Sequence, residues 1–197
     1  MTPQTFIFIG RSGCGKGTQA ELLKEYLEKN GSNPVFYLES GERFREFISQ
    51  NSSTADLSRE IMKSGGLQPV FLAIHIWSHV MIEQMDKEKH LIIDGTPRKL
   101  EEAKILDGAL DFYSRENPTI IFMNVSRKWS EDRLSGRGRS DDQEKQNVEK
   151  RLDWFDADVM PAVEYFRTNS KYKFLDINGE QTIEEVHEEI IQKAFDE

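Results

Sequence analysis

Short, unbroken apolar runs alternate along the chain with longer stretches in which apolar residues recur every three or four positions. Five runs read as strands: Thr5–Ile9, Val35–Leu38, Leu91–Ile93, Thr119–Val125 and Tyr172–Ile177. The third and fourth are dense in Ile, Phe and Val, the pattern of strands covered on both faces. Between the runs, helical spacing marks Lys16–Lys29, Gly41–Gln50, Thr54–Lys63, Pro69–Lys87, Leu100–Glu116, Glu144–Thr168 and Thr182–Phe195. Strand-then-helix alternation predicts an α/β fold around a parallel sheet. Two segments, roughly 40–68 and 134–145, break the rhythm and are read as small mobile lobes on one domain.

Composition narrows this picture. In 197 residues, 37% are hydrophobic and 31% charged, enough for a core beneath a solvated surface. No stretch approaches the roughly 20 apolar residues of a membrane span. The first residues lack a basic leader and run straight into a glycine-rich loop, so they read as a strand and not a signal peptide. The single cysteine, Cys14, excludes an internal disulfide and a cysteine-cluster zinc site, and fits a reducing cytoplasm. The net charge of −9 argues against non-specific nucleic-acid binding. An anionic substrate then requires a local basic pocket on an acidic protein.

The strongest chemical signal is Gly10-Arg11-Ser12-Gly13-Cys14-Gly15-Lys16-Gly17-Thr18, which contains the spacing G-x-x-x-x-G-K between a strand and a helix. Glycines let successive backbone N–H groups converge on phosphate oxygens, and the helix start adds its positive dipole end. Gly13, Cys14, Gly15, Lys16, Gly17 and Thr18 are therefore candidate ATP contacts, with Lys16 against the β- and γ-phosphates. Within this loop Cys14 reads as a small filler before it reads as a reactive thiol. The hydroxyl comes one place later than in the general motif, at Thr18.

The GKGTQ ending resembles the adenylate kinase and nucleoside monophosphate kinase family, and further motifs follow in the family's order over nearly the whole chain. Ser40-Gly41-Glu42-Arg43-Phe44-Arg45 is similar to T-G-D-x-x-R, which implies that Ser40 and Arg45 hold the acceptor phosphate. Gly65-Gly66-Leu67-Gln68-Pro69 resembles G-x-L-V-P, implying acceptor-base contacts at Gly65, Leu67 and Gln68. Asp94-Gly95-Thr96-Pro97-Arg98 resembles D-G-[YF]-P-R. That match implies Arg98 on the acceptor phosphate, Gly95 beside it, and Asp94 with Thr18 organising Mg²⁺, mostly through water. Arg137-Gly138-Arg139-Ser140-Asp141-Asp142 looks like the family's short lid. Arg133 and Arg137 then go to the ATP side, and Arg139 and Arg151 to phosphates near the transfer point. The segment from Arg139 to Arg151 is one residue longer than the family's, so Lys150 competes with Arg151. Asn178-Gly179-Glu180-Gln181 resembles the turn that touches the ATP adenine, which brings in Gln181. The resemblance implies a P-loop NTPase-type three-layer sandwich with a five-stranded parallel sheet. Its core would be 1–39, 69–133 and 146–197, with an acceptor lobe at 40–68 and a lid at 134–145. It also implies a monomer whose partners are nucleotides.

The acceptor stays open. Adenylate-specific members carry Gln where this chain has Glu102, and an ionised carboxylate only accepts hydrogen bonds. AMP leads because the rest of the chain is most like adenylate kinases, with CMP, UMP and GMP as alternatives. Two rivals remain: a kinase for another small acceptor, which would not need Arg45 and Arg98, and a nucleotide-binding regulatory protein. His75, His79, His90 and His187 show no metal or nucleophile spacing.

Overall fold

A computed structural model describes residues 2–136 and 145–195. Five strands, β1 (Thr5–Gly10), β2 (Val35–Glu39), β3 (His90–Asp94), β4 (Thr119–Asn124) and β5 (Lys173–Asn178), form one sheet in the order β2-β3-β1-β4-β5, with every pair parallel. The side-chain period of two divides each strand between two cores. Ile7 and Ile9 face one cluster, while Phe6 and Phe8 face the other. The first cluster is closed by α4 (Val70–Gln84), α5 (Leu100–Phe112) and α8 (Met160–Arg167), through Trp77 and Met81, Leu106 and Leu110, and Phe166. The second is closed by α1 (Lys16–Asn30) and α9 (Ile183–Phe195), through Leu23, Leu27, Val186 and Ile190. The parallel sheet flanked by helices is the α/β fold expected from the strand and helix pattern, and its three layers are those the resemblance implies. Between β2 and α4 stand α2 (Ser40–Ile48) and α3 (Ser53–Lys63); between β4 and β5, α6 (Arg127–Gly136) and α7 (Lys145–Trp154) precede α8. No helix among the described residues is long and apolar enough to cross a membrane.

The structure departs from the apolar pattern in three places. The predicted helix 100–116 stops at Phe112, because Ser114 takes φ 53° and its N–H and that of Arg115 close onto Asp111 O and Leu110 O. The single predicted run 144–168 is two helices joined by a π-helical turn at Phe155–Val159. Pro161 lacks the N–H that would reach Ala157 O, and its ring would crowd that carbonyl in an α-turn, so the wider turn accommodates it. Third, α6 has no counterpart in the predicted elements: its ten residues hold only Trp129 and Leu134 as large apolar side chains.

Candidate active site

In an open parallel sheet, ligands bind beyond the carboxyl ends of the strands. Here β1 feeds the phosphate loop and β3 ends at Asp94, while Glu39 at the end of β2 stands in register with it. Gly15, at φ 94°, lets the loop turn left-handed into α1, a conformation costly for any side-chain-bearing residue. A cleft of about 830 Å³ opens here. Gly13, Gly15, Lys16, Gly17 and Thr18 line it from the loop, Arg45, Gly65 and Gln68 from the α2–α4 side, and Asp94, Gly95, Arg98, Arg133 and Arg151 from the remaining walls.

Within the loop, Lys16 Nζ donates to Gly10 O at 2.7 Å and Arg11 O at 3.0 Å, with Cys14 Sγ 3.5 Å away. Cys14 is buried and packs in the α1–α9 core. Its thiol is therefore beneath the loop, while the cleft is lined by its neighbours. Asp94 is also buried, and a Cβ on Gly17 would stand 3.5 Å from its Oδ2. The start of α1 and the end of β3 thus approach closely, and Thr18 and Asp94 both line the cleft. Two hard oxygen donors fit Mg²⁺, which keeps much of its water and leans on substrate phosphates. Among the described residues no three His, Cys, Asp or Glu side chains cluster to hold a metal. A metal here would share its coordination with nucleotide and water. Burial pushes the Tyr37 phenol well up, with the Asp94 and Glu39 carboxylates adding to it, so it stays a neutral wall of the same cleft.

On the other side, Arg45 Nη2 donates to Glu39 Oε1 at 2.9 Å. Arg98 Nε donates to Gly95 O at 2.7 Å, and its guanidinium lies 5.6 Å from the Trp154 ring centroid. Trp154 Nε1 donates to Gly65 O at 3.1 Å, and Asn147 Nδ2 to Lys63 O at 2.7 Å. The two basic candidates take different partners. Arg151 Nη2 reaches Ser12 Oγ in the phosphate loop at 3.1 Å, whereas Lys150 Nζ turns away to Ser64 O at 3.2 Å. Arg133 stacks on Trp129, 4.8 Å from its centroid, and still borders the cleft.

A small cavity of about 20 Å³ adjoins the cleft, lined among others by Ser40, Leu67, Thr96 and Glu102. Glu102 is buried and accepts from Thr96 Oγ1 at 2.8 Å. Burial pushes its carboxyl above the usual range, against the Thr96 hydroxyl and the Arg98 charge and backbone N–H. Gln68 borders this cavity too, but its amide is committed to α3: Oε1 accepts from Ser58 Oγ at 2.9 Å and Nε2 donates to Ser58 O at 3.0 Å.

Gln181 does not line the cleft; its Nε2 is held by Asn178 O at 2.8 Å and Glu189 Oε2 at 2.9 Å. Its turn does abut the loop, since a Cβ on Gly179 would stand 3.6 Å from Cys14 O. Arg137 and Arg139, with most of 134–145, lie outside the described residues. Of the four histidines, His75 and His79 stack on the exposed face of α4, His90 is fully buried, and His187 sits on α9. Sequence reading passed over Trp154, Tyr37 and Glu39, all of which line the cleft. For Trp154 a signal existed: it follows Arg151 by three residues and so shares its helix face.

The profile of the family described as Adenylate kinase matches residues 8–171. Adenylate kinase 1 of Nostoc sp. is 30% identical over 184 residues, covering 93% of this chain and 95% of that protein. The adenylate kinase of Encephalitozoon cuniculi is 31% identical over 186 residues, covering 93% and 94%. That of Corynebacterium urealyticum is 28% identical over 182 residues, covering 92% and 94%. With the phosphate loop, the β3 aspartate and the cleft arginines arranged around one crevice and a family match over most of the length, the chain belongs to the adenylate kinase family of nucleoside monophosphate kinases.

Proposed function

We propose that the chain transfers the γ-phosphoryl of Mg·ATP to AMP, reversibly, giving two ADP. The observation that carries this reading is the convergence of Lys16, Arg45, Arg98 and Arg151 on one cleft with the phosphate loop and Asp94. That much positive charge on a protein of net charge −9 is arranged for polyanions. Lys16 and the loop N–H groups bind the ATP phosphates. Arg45 and Arg98 grip the acceptor phosphate, with Gly95 beside it, and Arg151 stands between the two. Arg137 and Arg139 supply further charge from the lid.

The acceptor's phosphate oxygen attacks Pγ, and the bond from Pγ to the bridging oxygen of ADP breaks. No side-chain nucleophile is required, so positioning and charge stabilisation supply most of the rate. Mg²⁺, held through Thr18, Asp94 and water, would neutralise charge on the phosphates when bound. Residues 40–68 serve as the acceptor lobe and 134–145 as a lid, which exclude water from a reaction that would otherwise hydrolyse ATP; adenylate kinase lids are a standard illustration of this behaviour. The acid surface and lone buried thiol fit a monomeric cytoplasmic enzyme whose partners are nucleotides.

Glu102 supports a second reading, in which CMP, UMP or GMP is the acceptor, because a carboxylate matches N–H donors on the base. A coupled ADP-release assay, offering AMP, CMP, UMP and GMP separately with Mg·ATP, decides between them. The primary reading expects AMP to turn over fastest and a Lys16→Ala variant to lose on the order of 10³-fold in rate. A faster rate with another monophosphate transfers the assignment to that acceptor. ATP binding without turnover of any of the four removes the catalytic reading.

A further inference from the structure

The small cavity beside the cleft contains an imbalance of donors and acceptors. Every nucleobase edge places an acceptor atom next to a donor: on adenine these are N1 and the 6-amino group. The carboxylate of Glu102 can only accept, and it already accepts from Thr96 Oγ1 at 2.8 Å. Glu102 alone therefore serves the amino group and leaves the N1 lone pair facing negative charge. The nearby amide of Gln68, which carries a donor, is spent on Ser58.

Among the described residues, two buried side-chain atoms without a hydrogen-bond partner belong to residues lining this cavity: Ser40 Oγ and Trp77 Nε1. The indole is the telling one. Trp77 is 1% exposed, and its N–H can only donate. A buried, unpaired N–H is disfavoured and rare in folded proteins unless something else satisfies it. Trp77, on α4, belongs to the core cluster that includes Leu91 and Ile93 of β3, and it also lines the cavity together with Thr96, Arg98 and Glu102. Trp77, with its unsatisfied donor, and Glu102, with its acceptor-only carboxylate, thus line one small cavity.

Resting on the assignment of AMP as acceptor, we propose that Trp77 and Glu102 read the adenine edge as a pair, Trp77 Nε1–H donating to N1 and Glu102 accepting from the 6-amino group. A single amide side chain offers both functions at once; here they are divided between α4 and α5. Thr96 is a positioning residue in this arrangement, since its hydroxyl, with the Arg98 backbone N–H, holds the Glu102 carboxylate in place.

The test removes each half separately, by steady-state kinetics with AMP at saturating Mg·ATP. Trp77→Phe keeps an aromatic ring and deletes the N–H; it should lower kcat/KM for AMP by about tenfold or more and leave the KM for ATP unchanged. Glu102→Gln supplies an amide that can donate to N1 by itself. In that background Trp77→Phe should cost no more than about threefold, a non-additivity that loosened packing does not produce. Because Trp77 is a core residue, the wild-type protein also carries the test from the substrate side. With 1-deaza-AMP, in which N1 is replaced by C–H, wild type should lose about tenfold in kcat/KM against AMP, and Trp77→Phe should not discriminate between the two. Equal rates for wild type with AMP and 1-deaza-AMP, or the same Trp77→Phe cost with Glu102 and with Gln in its place, would overturn the paired reading while leaving the kinase intact. Failure of wild type to turn over AMP while ATP binds would instead remove the acceptor assignment, and this inference with it.

Discussion

Arg98 and Trp154 show how one side chain aims another. Backbone Gly95 O fixes the guanidinium at one end, and the Trp154 face supports it while the indole N–H anchors Gly65 O. A stacking contact of about 0.5–1 kcal/mol and a hydrogen bond of about 1 kcal/mol act together on two groups proposed to meet the acceptor. Trp154→Leu should therefore raise the KM for the acceptor by about tenfold and leave that for ATP within about twofold, as read from paired saturation curves. Equal changes in both would mean that Trp154 supports the cleft as a whole. Gly65 itself has φ 69°, and a Cβ there would lie 2.9 Å from Asn147 Cα and O. Gly65→Ala combines backbone strain with a clash against α7, and should lower unfolding stability by about 1–3 kcal/mol in urea titration.

At the level of elements, Asp107 and Asp111 tie α5 to the segment entering β5, and Asp107 ties it to α8 as well. Asp107 accepts from Lys171 Nζ at 2.6 Å, Tyr172 OH at 2.6 Å and Tyr165 OH at 2.7 Å. Burial alone would raise the Asp107 carboxyl, but these three donors and the Lys171 charge hold it below the usual carboxylate value. A group depressed in the folded state stabilises fully above its unfolded pKa and ceases to do so as pH falls through the folded value. Asp107→Ala should thus cost about 1–3 kcal/mol near neutral pH, and the gap to wild type should close only below about pH 4. A gap that closes between pH 5 and 7 would point to another group.

For the whole molecule, the buried His90 sets a second, higher pH window. Its Nδ1 accepts from Gln4 N at 3.1 Å, and burial, with the Arg115 charge nearby, lowers its pKa. His187 is lowered by burial as well. The unfolded chain then binds protons that the folded chain refuses, so stability should decline as pH falls below about 6.5, before the carboxylates titrate. His90→Asn, which retains an acceptor for Gln4 N, should flatten the midpoint of thermal unfolding between pH 6.5 and 5; an unchanged slope would assign the effect elsewhere. Ligand linkage also acts on the whole fold. ATP with Mg²⁺ at about 100 times its Kd should add about 2.7 kcal/mol, visible as a rise in Tm of several degrees that Lys16→Ala largely abolishes.

The sequence alone carries the alternation of strands and helices and the glycine spacing of the phosphate loop. Both depend on local rules: a period of two or of 3.6 for burial, and glycines at fixed offsets before a helix. It could not show α6, whose few apolar residues gain their place only from neighbours, nor the π-helical turn beneath one apolar run. The motif residues were legible one by one, yet their company was not. That Gln68 spends its amide on Ser58, that Gln181 turns to Asn178 and Glu189, and that Arg151 rather than Lys150 meets the phosphate loop are outcomes of packing between distant segments. The same holds for Trp77 and Trp154, which read in sequence as apolar bulk. Whether an indole N–H finds a partner, as that of Trp154 does in Gly65 O, or goes without one among the described residues, as that of Trp77 does, depends on what the fold delivers to it and not on the residue's own spacing.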